Sequence, residues 1–92
     1  MFAARRQGKF FVVLARNGAA GEQSRLGIVI GRHTAPRSVT RSLMKRIVRE
    51  IFRQLRDQLG PVDVVVRVRQ PAGKSDLTAA RHELERLLRE TC

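Results

Sequence analysis

The sequence predicts an α+β fold, a two-layer sandwich in which a small central sheet carries helices on one of its faces. Short apolar, β-branched runs separated by polar turn segments predict strands, and two longer segments repeat their apolar residues at helical spacing. The length of 92 residues, 42% of them hydrophobic, suits one small core. The predicted order is strand, strand, helix, strand, helix. There is no internal repeat or low-complexity linker, so residues 1–92 are predicted to form a single domain.

Three segments have the composition of strands. They are FFVVLAR (10–16), LGIVIGR (26–32) and VDVVVRVR (62–69), of which the last alternates most clearly. The polar segment 17–24 contains an Asn-Gly pair and a further glycine, which favours a hairpin-like connection between the first two strands. Residues 2–6 either form an additional short strand or fray.

Two helices flank the third predicted strand. The first begins near Ser38 and ends at Gly60-Pro61, a glycine and proline stop signal. The second begins near Ser75-Asp76, with a serine cap and an acid in its first turn. The apolar residues of the second helix fall at helical spacing and predict a stripe that faces the core. They are Leu77, Ala80, Leu84, Leu87 and Leu88.

Positive charge dominates the composition and is unevenly distributed. The chain has 19 Lys and Arg against 8 Asp and Glu, for a net charge of +11. Residues 1–75 hold 16 of these bases and four of the acids. A folded domain with such an excess attracts polyanions, of which nucleic acid is the commonest, with anionic lipid as the alternative.

The first predicted helix concentrates cations on one side. Projected at about 100° per residue, its apolar residues fill one half, and five cations fill a band about 100° wide on the other half. We call this band the basic ridge; it consists of Lys45, Arg46, Arg49, Arg53 and Arg56, with Ser42 in its middle. Glu50 and Asp57 stand at its edge.

Three interpretations of the basic ridge are open: a solvated face, a membrane-surface helix or a nucleic-acid contact. A solvated helix normally mixes acids and bases at i, i+4, as residues 81–90 do, whereas residues 32–56 hold eight bases and one acid. A membrane helix needs its apolar half free for lipid, but the core needs that half here. Phosphate contacts would offset the repulsion among the cations and release counterions. The basic ridge is therefore predicted to face RNA or DNA.

Groups suited to catalysis or metal binding are scarce. Cys92 is the single cysteine, and His33 and His82 are far apart without ligand-like neighbours. Paired carboxylates, a Ser/His/Asp spacing, a glycine-rich phosphate loop and a zinc signature are all missing, so we predict no catalytic residue, no metal ligand and no cofactor bound by the protein itself. No apolar run reaches transmembrane length and no signal-peptide core is present, which favours a cytoplasmic protein that binds no membrane.

A longer series of residues resembles a known family. The series is Leu26-Gly27-Ile28-Val29-Ile30, Arg32-His33, Val39, Arg41-Ser42-Leu43, Lys45-Arg46, Arg49-Glu50 and Phe52-Arg53. At these spacings it resembles the bacterial ribonuclease P protein component, in which a strand with a Leu-Gly pair leads to two basic residues and a helix carries Arg-Asn-Arg, Lys-Arg and Arg-Glu. The third strand and the last helix fit as well, so the resemblance covers about residues 8–90.

The resemblance implies a function. The family's protein binds a large catalytic RNA, and the holoenzyme removes the 5′ leader of precursor tRNA by magnesium-dependent hydrolysis in an active site made of RNA. We therefore expect a non-catalytic subunit whose partners are the catalytic RNA and precursor tRNA, with Mg²⁺ accompanying the RNA. No protein partner is indicated. The alternatives are another basic α+β RNA-binding protein, such as a ribosomal protein, and a self-contained nuclease, which the missing acid-base constellation disfavours.

The family's functional positions carry over residue by residue. Those implied to contact the catalytic RNA are Arg32, His33, Arg37, Arg41, Ser42, Lys45, Arg46, Arg49 and Arg53. The sheet face beside the helix is implied to bind the single-stranded leader, with Phe10, Phe11, Val12, Val13, Arg67 and Arg69 as candidates. The first strand would contribute one alternating face, either Phe10, Val12 and Leu14 or Phe11 and Val13. An aromatic platform suits unpaired bases, but packing in the core is an equally good interpretation of these residues.

The resemblance also implies details of the fold. The family's fold is like domain 2 of ribosomal protein S5 and has a left-handed βαβ crossover, whereas the general rule favours a right-handed one, and the sequence leaves both open. Ser42-Leu43 stands where the family has Asn-Arg, which removes a peripheral phosphate contact but leaves the basic ridge intact. MFAARRQGKFF leaves no room for the short N-terminal helix that forms one wall of the family's leader cleft. Either the given sequence starts later than those of the family, or this protein lacks that wall. In both cases we expect catalytic-RNA binding to persist, whereas the resemblance no longer implies a leader affinity like that of the family.

Overall fold

The computed structural model describes residues 4–18 and 24–91, and it confirms the α+β class. In chain order its elements are strand β1 (Ala4–Gln7), strand β2 (Phe11–Asn17), strand β3 (Arg25–Val29), helix α1 (Ser38–Leu59), strand β4 (Val62–Val68), a 3-10 turn (Lys74–Asp76) and helix α2 (Leu77–Thr91). The segment predicted as a short strand or a frayed end is a strand in its described part. The strand predicted over residues 26–32 is shorter and ends at Val29.

The four strands form one sheet in the order β1-β2-β4-β3. β2 is antiparallel to both β1 and β4, and β3 is parallel to β4. The predicted hairpin between β2 and β3 is therefore wrong, because β4 lies between them. The Asn-Gly pair at the end of β2 continues along β4 instead of turning back, since the Gly18 N–H donates to the Pro61 carbonyl at 2.9 Å. β1 and β2 form a hairpin, with a hydrogen bond of 2.8 Å from Gly8 N to Phe11 O.

Both helices pack on the same side of this sheet, which confirms the two-layer arrangement. α1 contacts β3 and β4, while α2 contacts β1 and β2. Phe11, Val13 and the alternate valines of β4 point toward the helices and are at most 3% exposed. The apolar stripes of the helices complete the core with Met44, Ile47, Val48, Ile51, Phe52 and Leu55 of α1 and Ala80, Leu84, Leu87 and Leu88 of α2. The predicted stripe of the second helix is thus buried, with Leu77 half-buried at its edge.

The end of α1 follows the prediction, whereas the start of α2 differs from it. Gly60 has a φ of 72°, a conformation that glycine adopts without steric cost, so the helix stops after Leu59. Ser75 lies inside the 3-10 turn ahead of α2, so it does not stand directly before that helix as the predicted cap would require.

A loop of residues 30–37 connects β3 to α1. Its end is held by Arg41, whose Nη1 group donates to the carbonyl oxygens of Ala35 and Pro36, both at 2.9 Å. Arg37, directly before α1, is extended and makes no side-chain capping bond. The loop is thereby fixed against the first turn of the helix, at the end of the sheet where β3 and β4 terminate.

Candidate nucleic-acid interface

The basic ridge lies on the solvent side of α1. Ser42 and the ridge arginines are exposed, and Lys45 is half-buried. The opposite side of the helix supplies six core residues, including Ile47 and Ile51. The helix therefore cannot turn its cations inward without exposing its apolar stripe, and the core fixes the direction in which the ridge faces.

One ridge cation is engaged by an acid. Arg46 Nε donates to Glu50 Oε1 at 3.1 Å, and Arg81 Nη2 from α2 donates to Glu50 Oε2 at 3.1 Å. Arg81 and then Arg46 hold the pKa of Glu50 below its usual value. The remaining four ridge cations form no ion pair within residues 4–18 and 24–91, so most of the ridge charge is uncompensated; they are Lys45, Arg49, Arg53 and Arg56.

Further sequence-predicted contacts lie in the loop before α1. Arg32, His33 and Arg37 are exposed there. Arg41 is half-buried, and one nitrogen of its guanidinium group, Nη1, holds the loop. The loop extends the line of cations from the basic ridge toward the end of the sheet.

The side of the sheet that faces away from the helices offers a second surface, which we call the open face. Strand pairing places Val12 opposite Arg67 and Leu14 opposite Val65 on this side. Neighbouring β3 adds Val29, which is 51% exposed and pairs with Arg67. The open face is thus aliphatic in its middle and basic at the end nearest the loop.

The structure separates the leader-binding candidates of the first strand. Val12 lies on the open face, although it is only 6% exposed. Phe11 and Val13 are fully buried on the helix side, and Phe10 is 3% exposed within the same core cluster. The structure therefore favours core packing of these residues over an aromatic platform for the leader. Phe10 lies in the turn before β2, and its ring packs in the core instead of following the alternation of the strand.

A pocket of about 320 Å³ opens at the basic end of the open face. It brings together three predicted residues, Val12, Arg67 and Arg69, with three polar ones that the sequence did not single out: Arg5, Gln7 and Thr34. Arg5 and Gln7 alternate along β1, but a four-residue strand gives too weak a pattern to assign its faces beforehand. The lining also includes Val68. Three guanidinium groups around one cavity make it attractive to an anion.

Arg69 is held at the edge of this pocket by the turn between β1 and β2. Its Nη1 group donates to the Gly8 carbonyl at 2.6 Å, and its backbone N–H donates to the Phe10 carbonyl at 2.7 Å. Arg5 Nη2 donates to the Gln7 side-chain oxygen at 3.2 Å, two residues further along β1. These contacts leave other guanidinium donors of both arginines available to a ligand.

The other end of the open face has a different charge arrangement. Asp63 accepts hydrogen bonds from Arg25 Nε at 2.8 Å and from Arg16 Nε at 3.0 Å. Arg25 and then Arg16 lower the pKa of Asp63 from its ordinary 3.8 to about 2. An ionised Asp63 thus offsets one of the two arginine charges at this end, whereas the pocket at the other end brings three arginines together.

The described residues offer neither a metal-binding cluster nor a helix able to cross a membrane. Within the described ranges, no group of three or more His, Cys, Asp or Glu side chains could hold a metal ion. None of the helices described here is both long and apolar enough to cross a membrane.

Comparison with known proteins identifies the family. The family model for Ribonuclease P matches residues 2–92. This chain belongs to the ribonuclease P protein family. Its similarity to the Ribonuclease P protein component of Thioalkalivibrio sulfidiphilus is 45% identity over 76 residues, which cover 83% of this chain and 62% of the relative. For Paraburkholderia xenovorans the identity is 40% over 92 residues, covering 90% and 65%. The chain thus spans less than two thirds of the length of these ribonuclease P proteins.

Solved ribonuclease P proteins share the fold. The RNase P protein from Thermotoga maritima superimposes with a TM-score of 0.77 at 32% identity, over 96% of this chain and 85% of that one. The RNase P protein of Staphylococcus aureus gives a TM-score of 0.69 at 24% identity, over 95% and 75%, and supports the fold alone. The predicted resemblance to the ribonuclease P protein component is confirmed.

Proposed function

We propose that this chain is the protein subunit of ribonuclease P, which binds the catalytic RNA and the 5′ leader of precursor tRNA and so supports endonucleolytic removal of the leader. The family match together with the uncompensated basic ridge carries this proposal. The two surfaces would divide the work, with the ridge on the helix layer binding one RNA and the open face on the sheet layer binding the other.

The basic ridge is the surface that we assign to the catalytic RNA. Its cations are fixed along 22 residues of helix by the packed core, so they present a pre-formed row to phosphates. Binding would relieve the repulsion among them and release the counterions of the RNA. We include the loop residues, so the proposed contacts are Arg32, His33, Arg37, Arg41, Ser42, Lys45, Arg46, Arg49 and Arg53.

The open face is the surface that we assign to the leader. Between Arg67 and Asp63 it extends for about 13 Å, at about 3.3 Å per residue. Its aliphatic middle can contact bases of any sequence, while Arg67 and Arg69 can bind phosphates or stack on bases. Arg5 joins them through the shared pocket. We expect the aliphatic part of this contact to have little sequence preference, because its side chains present no hydrogen-bonding groups to the bases.

The hydrolysis itself we assign to the RNA subunit and the Mg²⁺ that accompanies it. The part of this chain is to bind, orient and neutralise: cations on the ridge reduce the charge of the folded RNA, and the open face holds the leader beside it. We place the complex in the cytoplasm, where precursor tRNA is processed.

Leader length tests whether the open face binds the leader while the basic ridge binds the catalytic RNA. Precursor tRNAs with no leader and with several leader nucleotides are compared for binding to the reconstituted holoenzyme. We predict that the longer leader binds more tightly, and that Arg67→Ala reduces this gain by about tenfold, the value of one lost charge-assisted contact.

The control for this test is Arg86→Ala, on the outer side of α2 and paired with Glu90. It should leave the gain unchanged. Equal binding of both precursors by the unaltered holoenzyme would contradict the leader role of the open face, even if the chain binds the catalytic RNA tightly.

A further inference from the structure

The turn between β1 and β2 is held by an acid from the last helix. Glu83 of α2 accepts three consecutive backbone N–H groups: Lys9 N at 2.5 Å, Phe10 N at 2.8 Å and Phe11 N at 3.0 Å. One carboxylate thus binds three donors that lie more than 70 residues away in sequence. A carboxylate suits this role because it only accepts hydrogen bonds, through two oxygens with about four lone pairs.

Gly8 allows the carboxylate to approach this closely. A Cβ atom at that position would overlap the Glu83 side chain. The turn is therefore shaped around the acid, and the hydrogen bond from Gly8 N to Phe11 O closes it on the other side. The contact is a built feature of the fold, distinct from the surface i, i+4 pairs elsewhere on α2.

The opposite side of the same turn holds Arg69. The Gly8 carbonyl accepts from the Arg69 guanidinium at 2.6 Å, and the Phe10 carbonyl accepts from the Arg69 backbone at 2.7 Å. Arg69 in turn lines the pocket on the open face. A continuous series of hydrogen bonds therefore runs from Glu83 through the turn to Arg69 and ends at the proposed leader surface.

We propose that Glu83 is a positioning residue for leader binding, and that it acts by fixing the β1–β2 turn against which Arg69 is oriented. This inference rests on the proposed function of the open face. Glu83 itself contacts no ligand in this proposal. Its carboxylate orders the turn from the helix layer, so that the guanidinium on the sheet layer is already in place when a phosphate arrives.

The anchoring of α2 does not depend on Glu83. Ala80, Leu84, Leu87 and Leu88 of α2 are at most 1% exposed and bury the helix in the core. Loss of the carboxylate therefore releases the turn more than the helix, and its effect should be concentrated at the pocket.

Glu83→Gln is the first test. An amide offers one acceptor oxygen in place of two and turns an NH2 group toward backbone donors, so the three hydrogen bonds cannot all form. We predict that the gain in affinity from a long leader falls by about three- to tenfold, because the charge-assisted contact between Arg69 and a leader phosphate is weakened but not lost. Binding of the catalytic RNA through the basic ridge should stay within about twofold of the unaltered chain.

Glu85→Gln, which loses an acid paired with Arg89 on the same helix, is the matched control and should change neither quantity.

A double-mutant cycle with Arg69→Gln separates positioning from a general loss of structure. If Glu83 acts through Arg69, the double variant loses no more leader-dependent affinity than Arg69→Gln alone. Additive losses would overturn the proposal, and so would a parallel loss of catalytic-RNA binding in Glu83→Gln. Should that variant fail to fold at the assay temperature, Glu83→Asp replaces it in the same cycle: the shorter acid keeps its charge but cannot reach all three donors.

The two proposals fail in different ways. A normal leader gain that Glu83→Gln leaves intact would overturn the positioning role alone. If the unaltered holoenzyme shows no leader gain, the assignment of the open face and the role of Glu83 both fall.

Discussion

Acids divide the arginines of this chain into two groups. Asp63 binds Arg16 and Arg25, and Glu50 binds Arg46 and Arg81. Arg49, Arg53 and Arg56 form no such pair within the described ranges. These three arginines lie along one side of α1, so the placement of a few acids, as much as the number of bases, helps to define where a polyanion would bind on this helix.

Asp63 makes the fold sensitive to acid. Because its pKa is about 2 in the folded chain and ordinarily 3.8, the ionised carboxylate stabilises the fold above about pH 4, and this contribution is lost as the pH falls toward 2. We predict that Asp63→Asn has a lower melting temperature than the unaltered chain at pH 7, and that the two converge between pH 4 and pH 2.

Thermal unfolding followed by circular dichroism at several pH values measures this difference. Asp57→Asn removes an equal charge from an exposed residue of α1 that forms no ion pair with any residue in 4–18 or 24–91, and it should change the melting temperature little at pH 7. A constant difference between Asp63→Asn and the unaltered chain down to pH 2 would show that the ion pairs with Arg16 and Arg25 do not stabilise the fold.

Residues whose position depends on local periodicity are predictable from the sequence. Ser42 was predicted in the middle of the basic ridge and is exposed there. Phe10 could not be placed, because it lies in a turn where strand alternation does not apply. Glu83 gave no signal of its role, since its three donors are brought to it only by the tertiary fold.

At the level of elements, the helices were predictable and the strand neighbours were not. Both helices carry a strong apolar period and α1 has a glycine stop, and these features depend only on nearby residues. The order of strands depends on pairing between distant segments. β4 buries a valine at every second position and takes the place between β2 and β3, which the local turn signal at the end of β2 could not show.

The basic ridge predicts how binding responds to salt. Each Lys or Arg that contacts a phosphate contributes about one to the slope of log affinity against log salt concentration. We predict that Arg49→Ala weakens binding to the catalytic RNA and lowers the magnitude of this slope by about one. Filter-binding titrations at several salt concentrations measure both quantities.

Arg86→Ala is the matched control for the ridge, because it removes an arginine of similar exposure from α2, where Glu90 already compensates its charge. It should leave affinity and slope unchanged. Equal effects of the two substitutions would mean that net charge, without a defined ridge, accounts for RNA binding.

The whole molecule separates its two candidate RNA surfaces by the thickness of the sandwich. The ridge lies on the outer side of the helix layer, and the open face lies on the far side of the sheet. The loop of residues 30–37 and the pocket bring cations to one end of the sheet, between these surfaces. α2 carries acids and bases that pair with one another, so it offers a polyanion little.

Cleavage of a precursor tRNA by a bacterial ribonuclease P RNA at low magnesium, with and without this chain, tests the subunit assignment most directly. We predict strong stimulation by the chain and no cleavage by the chain alone. Tight RNA binding without stimulation would contradict the assignment and favour another kind of RNA-binding protein. Cleavage by the chain without RNA would contradict the assignment of the chemistry to the RNA subunit.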